Sequence, residues 1–183
     1  MRKNLSLLFI SLSALAFGQI AVGKNTITNA SVSLEFGTEA RGLILPYVAT
    51  RPQGDAAVPG TIIMDASDGI VKYAKPNGEW KDLTFNTTHQ FGGVTVDTTG
   101  KVDRSIQLSK REVPTASVII GKNVQNQPLG VLVLSDSNKA MILPKMESPH
   151  LKIANPAAGM MAYDTLTNQL AVFNGTVWTF WKN

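Results

Sequence analysis

Apolar positions in this chain come in short runs and in alternation, without an amphipathic helical stretch after residue 18. Val32, Leu34 and Phe36 alternate with other residues, as do Gly130, Leu132 and Leu134. Period two predicts strands with one buried face. Leu43-Ile44-Leu45-Pro46 and Met141-Ile142-Leu143-Pro144 are apolar runs closed by proline. Proline lacks the ladder N–H, so these strands lie at an edge, are bulged, or end there. The apolar blocks 60–65 and 159–164 match each other, and further strands are predicted over 70–74 and 170–173 and around Trp80 and Trp178. Asn77-Gly78 and Asn174-Gly175 mark tight hairpin turns.

These pairs are one pattern written twice. Ile20-Ala21-Val22-Gly23-Lys24-Asn25 returns as Val118-Ile119-Ile120-Gly121-Lys122-Asn123, a spacing of 98 positions that the proline runs and the Trp80/Trp178 pair share. The next block, from Gly60 and from Gly159, is spaced by 99. The change falls in a loop, where insertions are tolerated. An internal repeat governs the fold reading. The predicted fold is all-β, with two related small β modules of short strands and hairpins at 19–84 and 117–183. A hairpin-containing linker at 85–116 joins them. Its hairpin is placed around Thr98-Thr99-Gly100, with strands over 93–97 and 101–108, and residues 109–114 read as linker. The two copies are expected to share one chain trace. Their cores are predicted to hold Leu34, Ile44, Ile62 and Val71 in the first, and Leu132, Ile142, Met161 and Leu170 in the second.

Residues 1–18 change the picture of where this chain works. Arg2 and Lys3 precede a short apolar run, and Ala16-Phe17-Gly18 offers small residues for a signal peptidase. The run is too short to cross a bilayer of ~30 Å as a lasting helix. Cleavage is expected after Gly18, leaving Gln19 first. The protein is therefore expected to be exported to the outer surface or the extracellular space, with the periplasm left open. Removing Arg2 and Lys3 lowers the net charge from +4 to +2. That is too little and too scattered for nucleic acid or an anionic membrane as partner. No later stretch is apolar enough to span a membrane. With no cysteine, disulfides, thiolate metal sites and a lipoprotein anchor are excluded.

Candidate chemistry is sparse. Asp65-Ala66-Ser67-Asp68-Gly69 faintly suggests a calcium loop, but the bidentate Glu that such a loop needs is missing. A turn capped by Asp accounts for it better. His89 and His150 lack neighbouring ligand-type residues and read as loop histidines. No nucleophile elbow, zinc-binding His pair or phosphate loop is present. No catalytic, cofactor or metal residue is assigned, and no cofactor is implied. Aromatic residues are the remaining candidates. Trp80, Trp178, Tyr163 and Trp181 are assigned to glycan stacking or to an interface, against the alternative that they fill the core.

The blocks Gly42-Leu43-Ile44-Leu45-Pro46, Gly159-Met160-Met161-Ala162-Tyr163-Asp164 and Asn174-Gly175-Thr176-Val177-Trp178 carry a resemblance. They resemble the repeat-bearing cell-surface and tail-fibre-like β proteins of Bacteroidota-type bacteria. Copy two follows that pattern closely, with Lys145 where arginine is usual. Copy one departs further, with Tyr47-Val48 and with Met64 in place of tyrosine. The resemblance implies intertwined β-trimers and a surface location. Small repeats with edge strands also favour self-association, against the alternative that the two repeats cover each other's edges within one chain and leave a compact monomer. The expected protein is thus a non-enzymatic, structural or adhesin-like component. It is expected to be a homo-oligomer, with a trimer favoured, whose further partner is a surface protein or a glycan. The alternative is a lectin-like module that uses the repeated tryptophans.

Overall fold

A computed structural model describes residues 18–111, 113, 115–121 and 130–182. The expected targeting segment, apart from Gly18, lies outside the described residues, as do Lys122-Asn123 of the repeat. The described chain is mostly β with little helix, and it winds as a β-solenoid of about 8 turns rather than as two modules.

The order of elements does recur. In copy one, β1 (Ile20–Val22) runs parallel to β2 (Val32–Phe36). β3 (Leu43–Ile44) follows, and then β4 (Tyr47–Val48) runs parallel to β5 (Ile62–Asp65). β6 (Ile70–Ala74) and β7 (Trp80–Asp82) complete an antiparallel meander on β5. After the hairpin of β8 (Thr88–Phe91) and β9 (Val94–Asp97), copy two repeats the plan. β10 (Val118–Ile120) is parallel to β11 (Leu132–Leu134). β12 (Ala140–Ile142) precedes β13 (Lys145–Met146), which is parallel to β14 (Met160–Asp164). β15 (Gln169–Phe173) and β16 (Trp178–Trp181) close the second meander. Parallel neighbours need a crossover, and here loops supply it. One loop carries a 3₁₀ turn (Gly54–Ala56) and its counterpart the single helical turn α2 (Pro149–Lys152), which follows α1 (Ser105–Leu108) in the chain.

The two copies are laced together, and this overturns the modular expectation. β12 of copy two pairs with β2 of copy one. β3 of copy one pairs with β14 of copy two. One apolar cluster takes Leu45, Met64 and Val71 from the first copy and Ala158, Met161 and Val172 from the second. A second cluster, Met146, Ile153, Met160, Ala162 and Phe173, belongs to copy two. Each proline run ends a strand as expected, and it does so where the chain changes sheets. Pro46 and Pro144 sit between β3 and β4 and between β12 and β13. Their carbonyls still accept from Met64 N at 3.0 Å and from Tyr163 N at 2.8 Å. The missing N–H thus falls at the junction.

The core differs from expectation at particular positions. Leu34, Val71 and Met161 are buried, whereas Ile44 is 50% and Leu132 45% exposed. Ile62, Ile142 and Leu170 are half-buried. Ile44 stands outward because Leu45, next to it, fills the shared cluster. β2 does not alternate: Val32, Ser33, Leu34 and Glu35 are all buried, with Ser33 Oγ 3.5 Å from Asp136 Oδ2 and with Lys24 and Thr28 on Glu35. β11, the counterpart of β2, pairs among the described residues with β10 alone, and Leu132 is exposed.

The connecting region is also corrected. Its hairpin turns at Gly92-Gly93, both with positive φ, as a two-residue turn of matching twist requires. Thr98-Thr99-Gly100 leads away from it, and 101–108 holds the turn α1 rather than a strand. His89 lies on β8, and His150 lies in α2 with its ring edge-on to Phe180 at 5.4 Å. Neither is a loop histidine.

Candidate functional site

The aromatic positions are set by the two meanders. Asn77 and Asn174 open the turns before Trp80 and Trp178. Asn77 Oδ1 accepts from Glu79 N, and Asn174 Oδ1 accepts from Thr176 N and Val177 N. Gly78 and Gly175 take the positive φ. Trp80 then pairs with Ala74 across β6–β7, and Trp178 pairs with Phe173 across β15–β16.

All three tryptophans are half-buried. Trp80 Nε1 donates to the Pro52 carbonyl at 3.2 Å. The Trp178 ring is 5.1 Å from that of Phe173 and packs on the second cluster. Trp181 packs on the shared cluster, lies 5.9 Å from Phe85, and donates from Nε1 to the Leu83 carbonyl at 2.7 Å. Leu83 is its counterpart 98 positions earlier.

Cross-strand register brings two of the four candidates together. Tyr163 pairs with Leu170, and Leu170 with Trp181. Directly opposed residues share a face, so the three form a row across β14, β15 and β16. With Asn168 and Lys182 they line an open depression of about 530 Å³. Tyr163 Oη lies 3.5 Å from Asn168 Oδ1. Trp80 and Trp178 do not line it.

The acidic turns hold themselves. Asp65 and Asp164 are buried at equivalent strand ends. Asp65 Oδ1 accepts from Ser67 N at 3.0 Å and Ser67 Oγ at 2.6 Å, and its Oδ2 lies 3.0 Å from Arg51 Nε. Asp164 accepts from Ser148 N, Leu166 N and Thr167 Oγ1. Burial pushes the Asp164 carboxyl up, but these donors outweigh it and hold the pKa below the usual range. Lys72, itself buried, reaches Asp82 at 2.8 Å and Asp68 at 2.9 Å. Burial works to lower its pKa, and the two carboxylates raise it above the ordinary value. Among the described residues no three His, Cys, Asp or Glu side chains gather as a metal site. No helix among them is long and apolar enough to cross a membrane.

Sequence reading missed the segment 98–101, which is a strap between the two copies. Asn174, fully buried, donates from Nδ2 to Thr98 O at 2.9 Å. Thr176 Oγ1 donates to Thr99 O at 2.7 Å, and Lys101 N donates to Asn174 O at 3.1 Å. Asn86 Oδ1 accepts from Gly100 N at 3.0 Å. Gly69, in the first acidic turn, lies so close to Gly100 that a Cβ on either would strike the other's backbone. A Cβ on Gly175 would likewise strike Lys101. Glycine at 100 signals close approach as well as a turn, and only the first meaning applies here.

Fold and site together define a β-solenoid whose three tryptophans are tied into its own backbone or core. Within that class, residues 119–183 match the family described as a phage tail like trimerisation region. That family is structural rather than catalytic. A search of curated proteins and of solved structures finds no match to the chain.

Proposed function

We propose that the protein is an exported, non-enzymatic structural subunit of fibre-like character that works as a homotrimer. Its place is the outer surface or the extracellular space of a Bacteroidota-type bacterium, in an adhesin-like or scaffolding role. The carrying observation is the trimerisation match over 119–183, a segment that shares strands and core with the rest of the chain. The targeting pattern at 1–18 supports export. Sedimentation of the purified protein across a concentration series tests the assembly, with a species of three chain masses expected. A persistent monomer at micromolar concentration overturns it. Amino-terminal sequencing of the exported protein should begin at Gln19, and retention of residues 1–18 refutes that cleavage.

The open depression lined by Tyr163, Asn168 and Trp181 favours a second reading, glycan binding. Aromatic faces beside an amide suit a sugar ring. On that reading Tyr163→Ala abolishes glycan binding while the unfolding midpoint stays near that of the parent. An absence of glycan binding by the parent protein leaves only the scaffold reading.

A further inference from the structure

Among the described residues the hairpin of β8 and β9 has an unpartnered side. Its register pairs His89 with Val96 and Phe91 with Val94. These four residues therefore share one face, while Thr88, Gln90, Thr95 and Asp97 share the other. The polar face is internally satisfied in part, since Gln90 Nε2 donates to Thr95 Oγ1 at 2.7 Å. The apolar face lies open: Phe91 is 82%, Val94 63% and Val96 44% exposed. Alternation of this kind belongs to a strand pair with one buried side. A lone two-stranded hairpin is marginal in water.

The occupant follows from where the hairpin is rooted. Its outgoing strand runs into the strap, whose Thr98 and Thr99 carbonyls are held by Asn174 and Thr176. Both of those residues lie inside the segment that matches a trimerisation region. The patch is also small. Three apolar side chains fall well short of the ~800 Å² per partner that an independent stable complex buries. A patch of this size suits one part of a larger interface, repeated once per chain by symmetry.

We propose that this face packs against the same face of the neighbouring copies in the homotrimer, extending the contact beyond residues 119–183. The inference rests on the trimer reading. A chain without cysteine allows a direct test, because any introduced thiol is unique. Disulfides need Cα atoms within about 4.4–6.8 Å, so linkage reports face-to-face packing. The full protein is made as Val94→Cys, as Phe91→Cys and, on the polar face, as Thr95→Cys. Each is oxidised at micromolar concentration, with the parent protein sedimented in parallel. The expected result is a parent trimer, with covalent dimers forming at 94 or 91 about tenfold faster than at 95. A parent trimer in which 91, 94 and 95 link equally or not at all overturns the hairpin contact and leaves the trimer standing. A monomeric parent overturns both.

Discussion

Gly69 and Asn168 hold the same place in the two acidic turns, and both have positive φ, 72° and 56°. Asparagine tolerates this conformation better than most residues with a Cβ. It suffices in copy two, but copy one has the strap against it, and a Cβ on Gly69 would meet Gly100. Gly69→Ala should therefore destabilise by at least about 2 kcal/mol, from left-handed strain plus overpacking. Asn168→Gly should be neutral or slightly stabilising. Urea denaturation of the two variants checks the contrast. Glu35 offers a second residue-scale test. Buried on β2, it accepts from Lys24 Nζ at 2.5 Å, Thr28 Oγ1 at 2.5 Å and Thr28 N at 2.7 Å. Lys24 foremost, then Thr28, lowers its pKa from the ordinary 4.5 to about 2. The folded-state value lies below the unfolded one. The stabilisation is therefore complete above pH 4.5 and is lost as pH falls towards 2. Glu35→Gln should flatten that acid limb in unfolding midpoints recorded against pH, and an unaltered limb would count against this assignment.

At the scale of elements, the Asn-Gly turns were legible because their chemistry is local. Each Asn side chain binds backbone N–H groups just ahead of it, and each Gly takes the positive φ. What the turn delivers was less legible. Trp178 packs beside Phe173 on the second cluster but keeps part of its ring in water. Trp178→Ala should cost about 2–3 kcal/mol, below the ~3–5 of a fully buried ring. Thermal or chemical denaturation gives the value. The hairpin in the middle of the chain shows the opposite case. Thr98-Thr99-Gly100 has turn composition, yet the turn forms six residues earlier at Gly92-Gly93. Two consecutive glycines satisfy two positive φ values without strain. Residues 98–101 were free to become the strap, whose partners lie 76 and 77 positions away.

For the whole molecule, interleaving makes the two copies interdependent. Residues 19–84 alone would expose β2 where β12 covers it, and would lose Ala158, Met161 and Val172 from the core. Residues 117–183 alone would lose β3 from β14, along with Leu45, Met64 and Val71. Neither fragment should show a cooperative unfolding transition, whereas the joined chain should show one. Calorimetry of both fragments checks this, and two stable fragments would restore the modular picture. The repeat, its order of strands and the break at each proline were written in the residues, since apolar period, proline and Asn-Gly turns act over a few positions. The tertiary structure decided which copy each strand joins. Pairing β12 with β2 and β3 with β14 depends on contacts about 107 and 117 residues apart, and short apolar strands carry no address for such partners. For the same reason only the fold could place Tyr163 beside Trp181, bury Glu35, and leave Phe91 and Val94 facing solvent.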